Sequence, residues 1–227
     1  MRNAFGLAVM VVTLGTQTSN RDAFAPARLA EGGPPPSPSQ TTVGGGQVLL
    51  ELVVAPDGHV DRVERLRVTP PYTDLIANTV ESWRFSPATL TSEKEGRRPV
   101  ESRVLVAAVY RPPATYLGTT LGEVPKDVAV GSTMIPTPQQ MTAPSFPPGT
   151  RADARGGAAV VLELSVGSDG VARDIRIVHS AGGFDPAALQ AAERWTFSPA
   201  RLPDGPVQSF AYVVMGFREP VVSPRLP

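Results

Sequence analysis

Few side chains in this sequence have the type and the spacing that catalysis or metal binding requires. The only two histidines are His59, directly after an Asp-Gly pair, and His179, at the end of an apolar run. Neither belongs to a ligand spacing typical of metal sites or accompanies a nucleophile pattern, so we expect both to be solvated surface residues. Asp57 and Asp169 form a pair of carboxylates only because a segment is repeated, and a turn accounts for both.

Two further motifs have residue types that contact ligands in other proteins. The glycines at 44–46 and 156–157 precede apolar runs and lack a following Lys-Ser/Thr, so a phosphate-binding loop is not predicted. Trp83 and Trp195 could stack on a ligand, but their helical spacing from other apolar residues favours core packing. The sequence therefore predicts a protein that is not an enzyme and that carries no cofactor and no metal.

The balance of charges narrows the class of partner. The chain has 21 basic and 21 acidic side chains and no basic cluster that would track a phosphate backbone. Nucleic acid is therefore not an expected partner. The chain also has no cysteine, which excludes disulfides and thiolate metal sites without selecting a compartment.

The N-terminus has the pattern of an export signal. Arg2 precedes an apolar stretch at 4–15, which is shorter than the ~20 residues that a membrane-spanning helix needs. An A-x-A motif follows at 23–25, with Pro26 directly after it. We predict that residues 1–25 form a signal peptide. An uncleaved short membrane anchor, or a buried element of a cytoplasmic protein, are the alternatives.

One segment of the sequence occurs twice, at a constant offset of 112 residues. Trp-Arg-Phe-Ser-Pro-Ala at 83–88 returns as Trp-Thr-Phe-Ser-Pro-Ala at 195–200. Laying 48–88 over 160–200 without a gap gives thirteen identities in 41 positions: Val48, Leu50, Glu51, Leu52, Val54, Asp57, Gly58, Glu81, Trp83, Phe85, Ser86, Pro87 and Ala88. The chain is therefore predicted to contain two copies of one small module.

Both copies predict the same order of elements. Apolar runs at 48–54 and 160–166 lead into Asp-Gly, a pair that favours a tight turn and a return strand. A helix follows, with one apolar stripe in each copy: Ile76, Val80 and Trp83, then Ala188, Ala192 and Trp195. Asp185 and Pro186 mark the start of the second helix. The Ser-Pro pairs at 86–87 and 198–199 are expected to end both helices, and apolar strands at 104–110 and 210–217 come last.

The predicted fold class is therefore α+β, with two small β-β-α-β modules, each an antiparallel sheet with a helix packed on one face. Runs rich in proline read as connections, because proline at this density blocks helices and central strands. The predicted division is 1–25 signal peptide or anchor, 26–46 tether, 47–112 first module, 113–142 linker, 143–220 second module and 221–227 tail.

A short open sheet presents unpaired N–H and C=O groups along its edge strands. An extended peptide can add there as a further strand. The same edges can instead be shielded by a neighbouring copy, a bulge or the proline-rich linker. The sequence leaves these two possibilities open.

The second copy resembles the TonB C-terminal domain. The motifs that carry this resemblance are the strand, Asp-Gly and strand, the Phe-Asp-Pro-Ala-Ala-Leu run at 184–189, the Trp-Thr-Phe-Ser-Pro-Ala run, Gly-Pro-Val at 205–207, the proline-rich 144–148 and the glycines at 156–157. The first copy is similar but degraded, with Pro-Pro-Tyr-Thr-Asp at 70–74 in place of the usual stretch. On this basis the chain is identified as two tandem members of the family, the first one divergent.

The resemblance implies a periplasmic module that holds an extended segment of an outer-membrane transporter by strand addition on its final strand. Carried over, the partner-binding residues would be Phe210, Ala211, Tyr212, Val213, Val214, Met215, Gly216 and Phe217, with 104–110 as the counterpart. The expected partner is a protein or peptide, and membrane contact is expected only through the N-terminal segment. A homo-oligomer formed through sheet edges is a further alternative.

The predicted function is periplasmic binding of extended peptide segments by edge-strand addition. One alternative is a membrane-anchored energy transducer that drives outer-membrane transport. The short N-terminal apolar segment, the lack of a histidine there and a spacer that spans roughly 60 Å when fully extended count against it. The other alternative is a structural envelope protein whose sheet edges pair with each other. A sheet continuous between the two copies would favour this last hypothesis.

Overall fold

A computed structural model of the protein describes residues 23–39, 44–111, 125–151 and 157–218. In the first half its elements are β1 Ala23–Ala25, β2 Arg28–Glu31, β3 Gly46–Val54, β4 Val60–Val68, α1 Tyr72–Val80, β5 Arg84–Ser86, β6 Ala88–Ser92, β7 Gly96–Val100 and β8 Ser102–Tyr110. In the second half they are β9 Lys126–Asp127, β10 Thr137–Gln140, β11 Gly157–Val166, β12 Ala172–His179, α2 Asp185–Ala192, β13 Thr196–Ser198, β14 Arg201–Leu202, β15 Gly205–Pro206 and β16 Ser209–Arg218. The predicted tail and all of the predicted signal peptide except β1 lie outside the described residues.

Seven strands form one sheet in the order β12-β11-β16-β8-β3-β4-β9. All neighbours are antiparallel except β16 and β8, which run parallel from Ala211 opposite Leu105 to Gly216 opposite Tyr110. The mixed α+β class is confirmed: the described residues are rich in strands and contain two α-helices. The predicted architecture of two β-β-α-β modules, each with its own antiparallel sheet, is not confirmed, because the final strands of the two halves pair in parallel within one sheet.

The two helices pack on opposite faces of this sheet. Successive side chains of a strand point to opposite faces, so every strand in the middle contributes to two apolar clusters. On β8, Val106 faces the α1 cluster and Leu105 faces the α2 cluster. On β16, Tyr212 and Val213 divide in the same way. Strands β8 and β16 are therefore covered on both faces, as central strands of large sheets are.

The helical stripes predicted from the sequence are confirmed for the residues within α1 and α2, whereas Trp83 and Trp195 follow the last turn of each helix. Ile76, Val80 and Trp83 are buried in the α1 cluster, and Ala188, Ala192 and Trp195 are buried in the α2 cluster. Trp83 is 0% exposed and Trp195 is 3% exposed, so both indoles pack in the core as expected.

The Ser-Pro pairs do not end the helices, and that prediction is wrong. The helices end at Val80 and Ala192, and the repeated Trp-x-Phe-Ser-Pro motif forms the short strands β5 and β13. The backbone N–H of Phe85 donates to the carbonyl of Gly58 over 2.8 Å, which seats β5 against the Asp-Gly turn. A proline disfavours helix in the residue before it, but it does not distinguish a helix end from a strand.

The proline-rich segments pack on the sheet. Residues 26–39, predicted as part of a tether, include β2, which pairs with β5, and the buried Leu29. In the linker region β10 pairs with β13, and Ile135 is buried. Proline at this density prevents regular helices and central strands, but it permits short edge pairings held by a few apolar side chains.

Candidate partner-binding edges

The strand predicted to bind a partner is in the interior of the sheet. Strand β16 pairs with β11 on one side and with β8 on the other. The predicted site residues from Ala211 to Phe217 are all buried, and Phe210 is partly buried. The counterpart strand β8 lies between β16 and β3. The prediction that these strands are free edges is wrong, because each one satisfies the backbone groups of the other.

The outer edges of the sheet are formed by β12 at one end and by β4 with β9 at the other. Strand β9 is a short segment of the linker that has added to the edge of β4. Arg67 lies opposite Asp127 and Val68 opposite Lys126, and the N–H of Val128 donates to the carbonyl of Leu66 over 3.0 Å. This edge therefore holds an extended segment by main-chain hydrogen bonds.

The corresponding edge of β12 carries no such segment within the described parts of the chain. The offset of 112 residues places Ser180 at the position of Val68. An open cleft of about 510 Å3 lies beside this end of β12, and His179, Ser180 and Phe184 are among its lining residues. The edge at 178–180 is thus accessible to an added strand.

Bulges and charges limit pairing along the rest of β12. The register with β11 shifts between Glu163 and Ser165, and Asp174 has a φ of 47° there. Arg173 and Arg176 are exposed along the same stretch. Bulges and exposed charges are common devices against indiscriminate edge pairing.

A second shift, between Val161 and Leu162, lies at the C-terminal part of β12. Strand β4 has the equivalent shift between Leu49 and Leu50 and still pairs with β9, so this part of β12 is the one open to strand addition.

Glu163 is a buried carboxylate that ties the N-terminal segment to the sheet. It accepts hydrogen bonds from Arg28 (2.8 Å), Arg176 (3.1 Å) and the hydroxyl of Tyr212 (3.0 Å). The Tyr212 oxygen in turn accepts from the N–H of Leu29 over 2.6 Å. Burial raises the pKa of Glu163, but the hydrogen bonds from Arg28, Arg176 and Tyr212 outweigh it, so the pKa lies below its ordinary value.

Glu51 is the equivalent buried carboxylate in the first half of the chain, and it ties the linker to the sheet. Arg103 donates to it over 3.0 Å, and the N–H of Ser132, from the linker, donates over 2.8 Å. Sequence reasoning did not single out Glu51 or Glu163 as structural anchors. The available signal was that both are identical in the repeat and stand inside apolar runs, where an unpaired charge would be costly.

Replacement of Glu163 by glutamine is expected to lower the free energy of unfolding by about 2 kcal/mol at pH 7, because hydrogen bonds to a buried charged acceptor are lost. A carboxylate with a lowered native pKa contributes stability above its unfolded pKa and loses it as pH falls through the native value. The difference between wild type and Glu163→Gln should therefore shrink from pH 7 to pH 3 in urea unfolding. A difference that is constant with pH would contradict this assignment.

The histidines and turn aspartates lie where the sequence predicted them. His59 and His179 are both exposed, which confirms that they are surface residues. His59 Nδ1 is 3.2 Å from Asp57 in its turn, and Asp169 contacts Arg173 at 2.6 Å. The hydrogen bond from Arg173 lowers the pKa of Asp169. These contacts are local turn interactions and bring no catalytic groups together.

Residues 142–216 match the family model of the Gram-negative bacterial TonB protein C-terminal. The match covers β11, β12, α2 and most of β16 and supports one TonB-like domain in this part of the chain. Domains of that family are periplasmic and take part in protein interactions at the cell envelope. Searches of curated proteins and of solved structures gave no match. Among the residues that the structure describes, no helix is long and apolar enough to cross a membrane.

Proposed function

We propose that this chain is an exported periplasmic adaptor, without enzymatic activity, that binds an extended segment of an envelope or outer-membrane protein by strand addition to β12. The observation that carries the proposal is the pairing of β9 on β4. It is an example, within the same sheet, of an extended segment held at this type of edge. The equivalent edge of β12 has its main-chain groups available for a partner.

We further propose that residues 47–112 are a second, divergent copy of the TonB-like domain. Equivalent contacts in the two halves support this. Trp83 donates its indole N–H to the carbonyl of Gly33 (3.1 Å), and Trp195 donates to that of Thr142 (3.0 Å). The rings of Tyr72 and Tyr110 lie 4.3 Å apart, and the corresponding pair in the other half is Phe184 and Phe217, at 4.7 Å.

A structural role is the second candidate function, and the parallel pairing of β8 with β16 favours it. That pairing occupies the two strands that the family resemblance would assign to partner binding. The same pairing counts against the energy-transducer alternative, which would require a free final strand. The two remaining functions differ in whether the β12 edge holds a partner.

A photo-cross-linking amino acid at His179, which is exposed beside this edge, would test strand addition in envelope fractions. Ser180→Pro removes the N–H at the position equivalent to Val68, which pairs with β9. Ser180→Ala is the matched control, because it also loses the hydroxyl that donates to Asp185 but keeps the N–H. Loss of one or two main-chain hydrogen bonds should lower the cross-linking yield about tenfold in Ser180→Pro.

Ser180→Ala should retain the yield of the wild type. Equal yields from the proline and alanine variants would show that capture does not use the backbone of this edge. Absence of any captured protein in the wild type would instead favour the structural role.

A further inference from the structure

A cleft of about 530 Å3 opens at the end of the sheet that lies opposite Ser180. It lies where the parallel strands β8 and β16 begin, between the hairpins β6–β7 and β14–β15. Its apolar lining includes Leu90, Val100, Met134, Leu202 and Val207. A volume of this size is in the range of sites that enclose a small ligand or a few side chains.

Both halves of the chain contribute matching residues to this cleft. Leu90 and Leu202 are separated by the repeat offset of 112 residues. Strands β8 and β16 have equivalent positions in the two halves. Ser102 of β8 lies opposite Val54 of β3, and Ser209 of β16 lies opposite Val166 of β11. The cleft therefore exists only because the two halves are joined, and a single TonB-like domain would form only part of it.

The charged groups of the cleft are all acidic. Glu101 and Asp204 are exposed lining residues, and no lysine, arginine or histidine is among the residues that line it. Within the described residues neither carboxylate forms an ion pair, although Glu101 interacts with Arg103 at longer range. Arg103 lines a small cavity beside the cleft and is ion-paired with Glu51 and Glu64. The cleft itself combines an apolar lining with two carboxylates.

The small cavity, of about 10 Å3, is separate from the cleft but adjoins it, and it holds hydrogen-bonding groups that the described residues do not use. It shares Met134, Leu202 and Val207 with the cleft and is also lined by Ser102 and Ser209. The two serines are 2% and 6% exposed, and neither hydroxyl has a hydrogen-bond partner in the described part of the chain. Buried hydroxyls are normally satisfied, so this pair points to a water in the cavity between the serines and the cleft.

We propose that this cleft is a second docking site, for a peptide segment of a protein partner that presents an apolar side chain next to a lysine or arginine. The apolar lining receives the side chain, and Glu101 and Asp204 attract the cation. The site is separate from the β12 edge, because Ser180 lies at the other end of the sheet. The proposal for the cleft therefore does not depend on strand addition to β12.

The test uses two dye-labelled hexapeptides, Gly-Lys-Phe-Leu-Lys-Gly and the same peptide with glutamate in place of both lysines, titrated into the full chain. The lysine peptide is expected to bind about tenfold more tightly, since each exposed charge pair contributes modestly. The double variant Glu101→Lys/Asp204→Lys should reverse the preference toward the glutamate peptide. Glu193→Lys, an exposed carboxylate outside the cleft lining, is the matched control and should leave the preference unchanged.

Each of the following negative results would overturn the proposal. Equal affinity of the wild type for both peptides, or no binding of either at millimolar concentration, removes the charge selection. An unchanged preference in the double variant places the peptide elsewhere. If Ser180→Pro no longer binds the lysine peptide, the peptide binds at the β12 edge. If Ser180→Pro still binds it and the double variant prefers the glutamate peptide, the cleft is a separate site, even if strand addition to β12 is disproved. Phenethylamine that competes as well as the peptide would assign the cleft to small amines instead.

Discussion

Proline in place of Val213 is expected to lower the free energy of unfolding by roughly 4 kcal/mol or more, or to prevent folding. Val213 lies in the middle of β16, buried and paired on both sides, with Leu162 on β11 and Ala107 on β8. Proline removes a ladder hydrogen bond from a central strand, its ring clashes with the neighbouring backbone, and a buried carbonyl loses its donor. Urea unfolding followed by the fluorescence of the two buried tryptophans measures the change.

The control for Val213→Pro is the same substitution at an outer edge. Ser180→Pro should change the free energy of unfolding by no more than about 1 kcal/mol, because proline is tolerated where the N–H faces solvent. If Val213→Pro is tolerated as well as Ser180→Pro, then β16 is an edge strand and the pairing with β8 is not the state in solution.

Alanine in place of Gly170 is expected to lower the free energy of unfolding by about 3 kcal/mol. Gly170 has a φ of 80°, and a Cβ there would lie 2.2 Å from the carbonyl oxygen of Phe197. Left-handed backbone strain and overpacking each cost about 1–3 kcal/mol, and the clashing atom belongs to the backbone of β13. Gly58 makes the same approach to Phe85 in the first half, at 2.0 Å, so Gly58→Ala should behave alike.

Two other glycines separate the contributions to this effect. Gly96 has a φ of 70° but open space around its Cβ position, so Gly96→Ala should cost only about 1 kcal/mol. Gly33 has neither a positive φ nor a neighbour within 4 Å, and Gly33→Ala should be within about 0.5 kcal/mol of the wild type. If Gly170→Ala costs no more than Gly96→Ala, close packing of the Trp-x-Phe-Ser-Pro strand on the turn is not what fixes this glycine.

The elements of the fold were predictable because their signals are local. Apolar spacing predicts both helices, although the tryptophans that it included lie just after the helix ends, and the strand runs on either side of Asp-Gly are visible in the sequence. The partner of each final strand was not predictable in the same way, because pairing between β8 and β16 joins residues about a hundred positions apart. One signal was available: both runs are apolar without alternation, which is typical of strands covered on both faces.

The errors about connections and anchors have a common physical origin. Composition indicates that a proline-rich segment has no regular structure of its own, but it does not indicate whether single side chains such as Leu29 and Ile135 are buried. In the same way, Glu51 and Glu163 interrupt apolar runs in the sequence, and their role is explained only by the ion pairs with Arg103 and Arg28 in the structure. Both features depend on contacts between distant parts of the chain.

Residue-resolved amide hydrogen exchange tests most directly whether β16 is a closed, interior strand. Alternate amides of an interior strand bond to opposite neighbours, so all amides at 211–216 should exchange slowly, with free energies close to that of global unfolding. On β12 only alternate amides should be protected. If every second amide at 211–216 exchanges as fast as an exposed edge, β16 does not pair with β8, and the partner-binding edge returns to the final strand.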